Sequence, residues 1–432
     1  MKKVILLLAV AGFFVSCEKK YSETVTYKVN EPVYMSSEAF LKSVVVTDNV
    51  QYTVSGSGKI CFHNGYLYIS EPEIGIHIID NRQPHNPHAV GFIELLGNAD
   101  LAIRNNVLYA DAYSNLVWFD ISNPAQPHMT GVLENVFQNV LPPIDNEFGF
   151  DYNEVYSDDA KNKGIIVGWN LTEKTVDAES SYPHYYPNRG VLEFMVNSDA
   201  AAKAPTASYN GGGNGINGSM SRFGLYCDYL YVVLNNQLSA FDVSQGEPVK
   251  AMENMYLGWN VETIFSYKEN LFFGTPSGLL IYSVANPLSP HYCSSISHAY
   301  GCDPVVVEND IAYVTIHAGN VCGQNTNELI IIDVKDVYNP RELASYAMTK
   351  PKGLGIDNTT LFVCDDGLKI FKADNPQTII ANQLAHYTGI DGFDVIPFNN
   401  TLMMIAEDGL YQYDYSDLNN IMKLSVLQFV KK

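Results

Sequence analysis

The sequence predicts an all-β fold, a β-propeller of seven four-stranded blades, with six or eight blades as alternatives. Three observations support this: a strand motif that recurs about every forty residues, a second motif that keeps step with it, and a turn-rich composition. The chain of 432 residues has 31 Gly, 20 Pro and 29 Tyr but only 17% charged residues, which is typical of an exported β protein. A fixed period of this length indicates an array of small repeated units.

The first motif is an apolar strand that ends in Asp, best seen at residues 116–120 (Leu-Val-Trp-Phe-Asp) and followed by Ile-Ser-Asn-Pro-Ala-Gln-Pro. Its copies end at seven positions: Asp80, Asp120, Asp242, Ser283, Asp333, Lys372 and Asp414. The separations are 40, 122, 41, 50, 39 and 42 residues, and four of them lie near forty. Seven copies predict seven blades. The 122-residue gap predicts an insertion over residues 138–218, with a degenerate eighth blade as the alternative.

One copy can be divided into four strands, over residues 100–104, 107–111, 116–121 and 128–133. Asn105-Asn106 forms the first turn, and prolines in the connection before the last strand interrupt the hydrogen-bonding ladder. The second motif is the second strand of each copy, for example Tyr-Leu-Tyr at residues 66–68, and it keeps the same register along the chain. Four short antiparallel strands make one propeller blade.

The apolar strand ending in Asp, followed by Ser-x-Pro-x-x-Pro, resembles the LVIVD repeat family of surface proteins. Residues 76–80 with Pro84 and Pro87, and residues 116–120 with Pro124 and Pro127, carry the resemblance best. It extends over residues 59–137 and 219–432, although later copies lose the Asp or the prolines. The resemblance implies a β-propeller at the cell surface and no defined activity.

The first 17 residues have the features of a lipoprotein signal peptide. Lys2 and Lys3 precede an apolar run that ends in Ser16-Cys17, and the run is too short to be a permanent transmembrane helix. We expect Cys17 to be lipidated, so that the protein is anchored in the outer membrane or at the surface of a Gram-negative bacterium. Residues 18–30 are predicted to form a flexible tether, residues 31–58 a lead-in that packs on the domain, and residues 59–432 the propeller.

The net charge of −21 argues against nucleic acid as a partner, because few cations are present to replace the counterions of phosphate. We expect a monomer that contacts the membrane through its lipid and binds a protein or a glycan. The alternative is a hydrolytic or carbohydrate-active propeller enzyme. The sequence shows no catalytic motif, and no His or Cys spacing typical of a metal site.

In a four-stranded blade, the turn between the second and third strands and the crossover to the next blade emerge on the same face. The insertion at 138–218 and the long turn at residues 318–327 both fall on such connections. We therefore expect the binding surface on this face, since loops held by a rigid scaffold carry function. Cys302 opens the first strand of the fifth copy, and Cys322 lies in the loop that leaves its second strand. These two points are neighbours across an antiparallel pair, so we expect a disulfide between them, with two free thiols as the alternative.

Two candidate binding sites follow. Residues at the start of the innermost strands could ring the mouth of the central channel and bind a small polar ligand, or hydrogen-bond to one another; they are Lys59, Asp100, Arg222, Thr263 and Asp394. The enzyme alternative would use the carboxylates of Asp100 and Asp394. A cluster of aromatic residues within the insertion could bind a sugar or a protein, or pack against the propeller; it comprises Tyr182, His184, Tyr185 and Tyr186.

The acidic stretch at residues 145–159 offers oxygen ligands that calcium would accept, but it lacks the EF-hand pattern. We expect a solvated acidic loop there and no cofactor.

Overall fold

In the computed structural model the chain is a β-propeller of seven four-stranded blades, as the repeat predicts. The structure describes residues 24–48, 58–137, 140–177, 184–185, 214–234, 236–258, 261–297, 304–318 and 326–429. In each blade the strands run antiparallel from the innermost to the outermost in chain order.

The strands of blades 1 and 2 are Ile60–His63, Tyr66–Glu71, Gly75–Asp80 and His88–Glu94, then Leu101–Arg104, Val107–Ala112, Asn115–Asp120 and His128–Leu133. Those of blades 3 and 4 are Phe223–Tyr226, Tyr229–Leu234, Gln237–Asp242 and the split outer pair Val249–Lys250 and Met255–Tyr256, then Thr263–Tyr267, Asn270–Thr275, Gly278–Ser283 and His291–Ser297.

The strands of blades 5 and 6 are Val305–Glu308, Ile311–Ile316, Glu328–Asp333 and Arg341–Ala347, then Leu354–Asp357, Thr360–Cys364, Leu368–Lys372 and Gln383–Tyr387, with a 3-10 turn at Ile380–Asn382. Blade 7 consists of Gly392–Phe398, Thr401–Ala406, Gly409–Asp414 and Met422–Gln428.

The core lies between neighbouring blades, where apolar side chains of alternating strand positions pack face to face. The ring closes in the same way, since Ile60 and Phe62 of blade 1 pack with Ile396 and Met403 of blade 7. The outer part of this interface is polar: Gln412 Nε2 donates to Asn81 Oδ1 over 2.7 Å.

Local turn chemistry explains the two recurring motifs. Asn105 and Asn106 both have positive φ, of 50° and 62°, as a two-residue type I′ hairpin turn requires. The Asp that ends the third strand accepts a hydrogen bond from the backbone N–H two residues later, as Asp120 does from Ser122 over 2.7 Å. In the copy that has Ser283 instead, the serine hydroxyl accepts the equivalent bond from Ala285. The repeat Asp therefore stabilises a turn.

The segments outside the repeat form further elements. Strand Val45–Thr47 of the lead-in pairs with the outer strand of blade 1, and helix α1 (Ser37–Ser43) buries Phe40 beside blades 1 and 2. Strand Thr24–Met35 pairs along its whole length with Ile165–Asp177 of the insertion, forming a two-stranded ribbon. Residues 24–30, predicted as tether, are therefore part of a strand.

The insertion also supplies the short helices α2 (Tyr152–Tyr156) and α3 (Asp158–Lys161), and strand Phe150–Asp151, which pairs with His184–Tyr185. We call residues 24–35 and 140–177 together the module. Its parts are joined by Asn30, whose side-chain amide donates to the carbonyls of Asp145 and Phe148, and by Trp169, whose indole N–H donates to the carbonyl of Pro142.

The end of the insertion reaches the central channel. Strand Ile216–Asn217 pairs antiparallel with the innermost strand of blade 1, and Asn214 bridges to Arg104 of blade 2. Since these innermost strands line the central channel, residues 214–222 run through it toward the start of blade 3. We call residues 214–222 the channel segment, and the face that carries the blade crossovers the crossover face.

Candidate functional site

The five residues predicted to ring the channel mouth lie at the starts of innermost strands on the crossover face. They do not form an open ring, because the side chains of Asp100, Thr263 and Asp394 are at most 1% exposed. The Arg222 side chain is 11% exposed, and Lys59 is partly buried. The structure brings Lys59, Asp100 and Asp394 together around the channel segment, which ends at Arg222.

The channel segment occupies the space between these side chains. Ser219 donates to the Asp394 carboxylate from its backbone N–H over 3.2 Å and from its hydroxyl over 3.1 Å. The Ser221 hydroxyl donates to Asp100 over 3.1 Å, and the backbone N–H of Arg222 donates to the same carboxylate. The two carboxylates thus hold the segment at two points.

A second layer of charges continues the cluster toward the turns of blades 1 and 2. The Arg222 guanidinium lies 3.3 Å from an Asp111 oxygen and 3.7 Å from an Asp100 oxygen. In the adjoining turns, the Tyr113 hydroxyl donates to Glu73 over 2.5 Å. Sequence reasoning missed Asp111, Tyr113 and Glu73, although an acid at the end of the apolar strand Val107–Ala112 is unusual enough to have pointed to Asp111.

Burial shifts the titration of this cluster. Desolvation lowers the pKa of Lys59 to about 8, although the negative charges of Asp100 and Asp394 act to raise it. Desolvation raises the pKa of Asp111 to about 6, although the positive charge of Arg222 acts to lower it. Desolvation also raises the pKa of Glu73 to about 7, although the hydrogen bond from Tyr113 acts to lower it. Perturbed groups of this kind mark candidate sites. Here their partners are the chain's own side chains and backbone, which suits a network that fixes the channel segment.

Several acidic side chains of the stretch at residues 145–159 make capping or ion-pair contacts within the module. Asp151 caps the N-terminus of α2, Asp158 pairs with Lys161 over 3.1 Å, and Glu154 lies 3.4 Å from Lys174. Within the described ranges, no group of three or more His, Cys, Asp or Glu side chains is placed to hold a metal ion.

A second candidate site is a cavity of about 470 Å³ between the module and blade 2, on the crossover face. Its volume lies within the range of small-molecule pockets, about 300–1,000 Å³. It is lined by Tyr34, Ser114, Asn135, Phe137, Val140, Leu141, Tyr152, Val155, Tyr156, Ala160, Lys161, Gly164, Ile165 and Ile166. Sequence reasoning missed it, because its walls come from segments far apart in the chain.

The predicted aromatic cluster is described only in part. The backbone of His184 and Tyr185 forms the short strand beside Phe150–Asp151, and Tyr182 and Tyr186 lie outside the described residues. Cys17, Cys302 and Cys322 also lie outside them, so lipidation and the disulfide stay predictions.

Of the other cysteines, Cys61 and Cys364 are free and buried in strands, as expected of small apolar residues. Cys227 lies in the turn between the first two strands of blade 3, with a φ of 50° and partial exposure. No described helix has the length and apolar character needed to cross a membrane.

The LVIVD repeat family model matches residues 97–134, which is blade 2 with its preceding turn. No curated protein matches the chain. Among solved structures, the chain is similar to the computationally designed Ika8 protein, with 9% identity over 88% of this chain and 91% of that one, and a TM-score of 0.47.

It is also similar to Sqt1 of Saccharomyces cerevisiae, with 12% identity over 94% of this chain and 100% of that one, and a TM-score of 0.44. For Hsv2 of Kluyveromyces lactis the identity is 10%, the coverage 85% and 95%, and the TM-score 0.41. The assignment of the fold rests on the strand pairing of the seven blades and on the matched repeat. This chain is a seven-bladed β-propeller that carries an LVIVD repeat in its second blade.

Proposed function

We propose that this chain is a non-catalytic, lipid-anchored binding protein of the bacterial cell surface, whose crossover face binds a protein or a glycan. A propeller with an LVIVD repeat fits a binding role. The net charge of −21 disfavours nucleic acid, and the signal-like residues 1–17 support an anchor at Cys17 in the outer membrane. The protein acts as a monomer and needs no cofactor.

The observation that carries the proposal is the ribbon. Among the described residues, neither of its strands pairs with a third strand. The backbone N–H of Asn30 donates to the carbonyl of Gly149, and beyond that position the edges offer backbone N–H and C=O groups to a partner strand. Val25 on one face of the ribbon is 51% exposed, and Leu171 on the other face is 45% exposed. Open edges beside exposed apolar side chains favour a protein partner, with a glycan as the second possibility.

The enzyme alternative depends on Asp100 and Asp394. Both carboxylates are fully buried and accept hydrogen bonds from the channel segment. A substrate would first have to displace that segment. This supports a structural role for the two residues.

The test compares two double variants of the full chain. In Val25→Ser/Leu171→Ser the exposed apolar side chains of the ribbon are lost, while Val249→Ser/Leu288→Ser alters residues of blades 3 and 4 that are at least as exposed, at 61% and 50%. We expect the ribbon variant to retain envelope proteins or arrayed glycans about tenfold less than the unmodified chain, since few residues dominate an interface. The control should bind normally. Equal binding by both variants would show that the ribbon is not the binding surface.

The anchor is tested separately, by mass spectrometry of the mature N-terminal peptide. We expect acyl chains on Cys17 and release of the Cys17→Ser variant from the membrane fraction. An unmodified Cys17 in the mature protein would contradict the lipid anchor.

A further inference from the structure

We propose that the cavity between the module and blade 2 binds a small amphiphilic molecule, with an apolar body and a neutral or anionic polar end. This goes beyond the proposed function, because the cavity is distinct from the ribbon edges, and either proposal can fail alone. The cavity is formed only where three separate parts of the chain meet: Tyr34 of the ribbon, Ser114 and Asn135 of blade 2, and the helices of the insertion.

The aliphatic walls of the cavity favour a ligand with an apolar body. Five aliphatic side chains face the cavity and are each 6–9% exposed: Val140, Leu141, Val155, Ile165 and Ile166. A space of about 470 Å³ with such walls has the size and the apolar lining of a small-molecule pocket. Transfer of an apolar group from water onto these walls is favourable.

One wall is aromatic. The rings of Tyr152 and Tyr156 lie 4.7 Å apart between centroids, and Tyr152 is 49% exposed at the edge of the cavity. Rigid aromatic side chains at a partly open site offer large contact area to a ligand at little cost in conformational entropy.

The charged residues that line the cavity favour a ligand whose polar end is neutral or anionic. In a chain with 47 Asp and Glu residues, the described residues that line the cavity include one cation, Lys161, and no carboxylate. The Lys161 ammonium pairs with Asp158 over 3.1 Å, but both side chains are well exposed, at 63% and 96%. An exposed pair of this kind contributes little. The ammonium is therefore available to an anionic group, and the amide of Asn135 and the hydroxyl of Ser114 suit a neutral one.

The test uses 1-anilinonaphthalene-8-sulfonate, which has an apolar body and an anionic end, with binding followed by its fluorescence. We expect saturable binding to the full chain, displaced by dodecanoate but about tenfold more weakly by dodecyltrimethylammonium and by maltotriose. Equal displacement by the cationic amphiphile would overturn the charge preference. Displacement of the probe by maltotriose but not by dodecanoate would show that the ligand is not an amphiphile.

Variants then locate the site. Lys161→Glu and Tyr152→Ser should each weaken probe binding about tenfold. Two matched controls should bind like the unmodified chain: Lys250→Glu, whose lysine pairs with an acid three residues away, and Tyr256→Ser, which is 69% exposed on blade 3. Because all four positions are exposed, thermal unfolding should be unchanged. Unchanged binding in the Lys161 and Tyr152 variants would show that the probe binds elsewhere and overturn the proposal.

Discussion

Asp100→Leu is expected to destabilise the protein by about 3–5 kcal/mol, the usual effect of removing one partner of a buried charge network. Asp100 is fully buried and accepts hydrogen bonds from Leu101, Ser221 and Arg222. Its loss leaves the cations of Lys59 and Arg222 short of a counter-charge in a buried environment.

The matched control is Asp333→Leu, which removes a carboxylate that is 23% exposed, accepts the turn hydrogen bond from the Lys335 N–H and pairs with Arg341 at the surface. We expect a loss of about 1 kcal/mol there, because solvent screens such pairs. Urea unfolding followed by tryptophan fluorescence measures both. If Asp100→Leu were as mild as its control, the buried cluster would not be what holds the channel segment.

Gly218→Ala is expected to destabilise the protein by about 3 kcal/mol, from overpacking and from the loss of buried hydrogen bonds. A Cβ at this position would lie 2.0 Å from Asp394 Oδ2 and 2.7 Å from Ile60 Cγ1. To make room, the Asp394 carboxylate would have to leave the two groups of Ser219 that donate to it.

Gly168→Ala provides the control, because a Cβ at position 168 of the ribbon meets no atom within 4 Å. That change should leave stability within about 0.5 kcal/mol, as surface substitutions usually do. The same unfolding measurement, together with protease sensitivity of residues near 214, compares the two variants. Equal stabilities would mean that the channel segment can shift at no cost.

Much of the scaffold follows from local chemistry. The alternation of apolar residues, the Asn turns and the Asp that accepts a bond from two residues later each act over a few positions, so they can be read along the chain. They predict the seven blades that the structure contains. They also place Lys59, Asp100, Arg222 and Asp394 at the same end of their strands, because the register repeats from blade to blade.

The environment of those residues was less predictable. The residues at the channel mouth were expected either to bind a ligand or to hydrogen-bond to one another. Nothing in the local sequence of Gly218–Arg222 shows that this stretch enters the channel. The ribbon was missed for a similar reason. The β-rich residues from 24 onward could have indicated a strand, but the partner of Thr24 is Asp177. No turn of the usual length connects them.

The sequence by itself determined the blades, their number and the face from which the insertion departs, because these depend on short-range patterns that repeat seven times. Only the tertiary structure decided that the insertion returns through the channel to Asp100 and Asp394, that residues 24–35 pair with 165–177, and that a cavity forms beside blade 2. These features arise once each. The channel and ribbon contacts join residues more than a hundred positions apart, and the cavity needs Tyr34 beside helices that begin more than a hundred positions later. A repeat cannot encode them, and the packing of the finished ring brings them together.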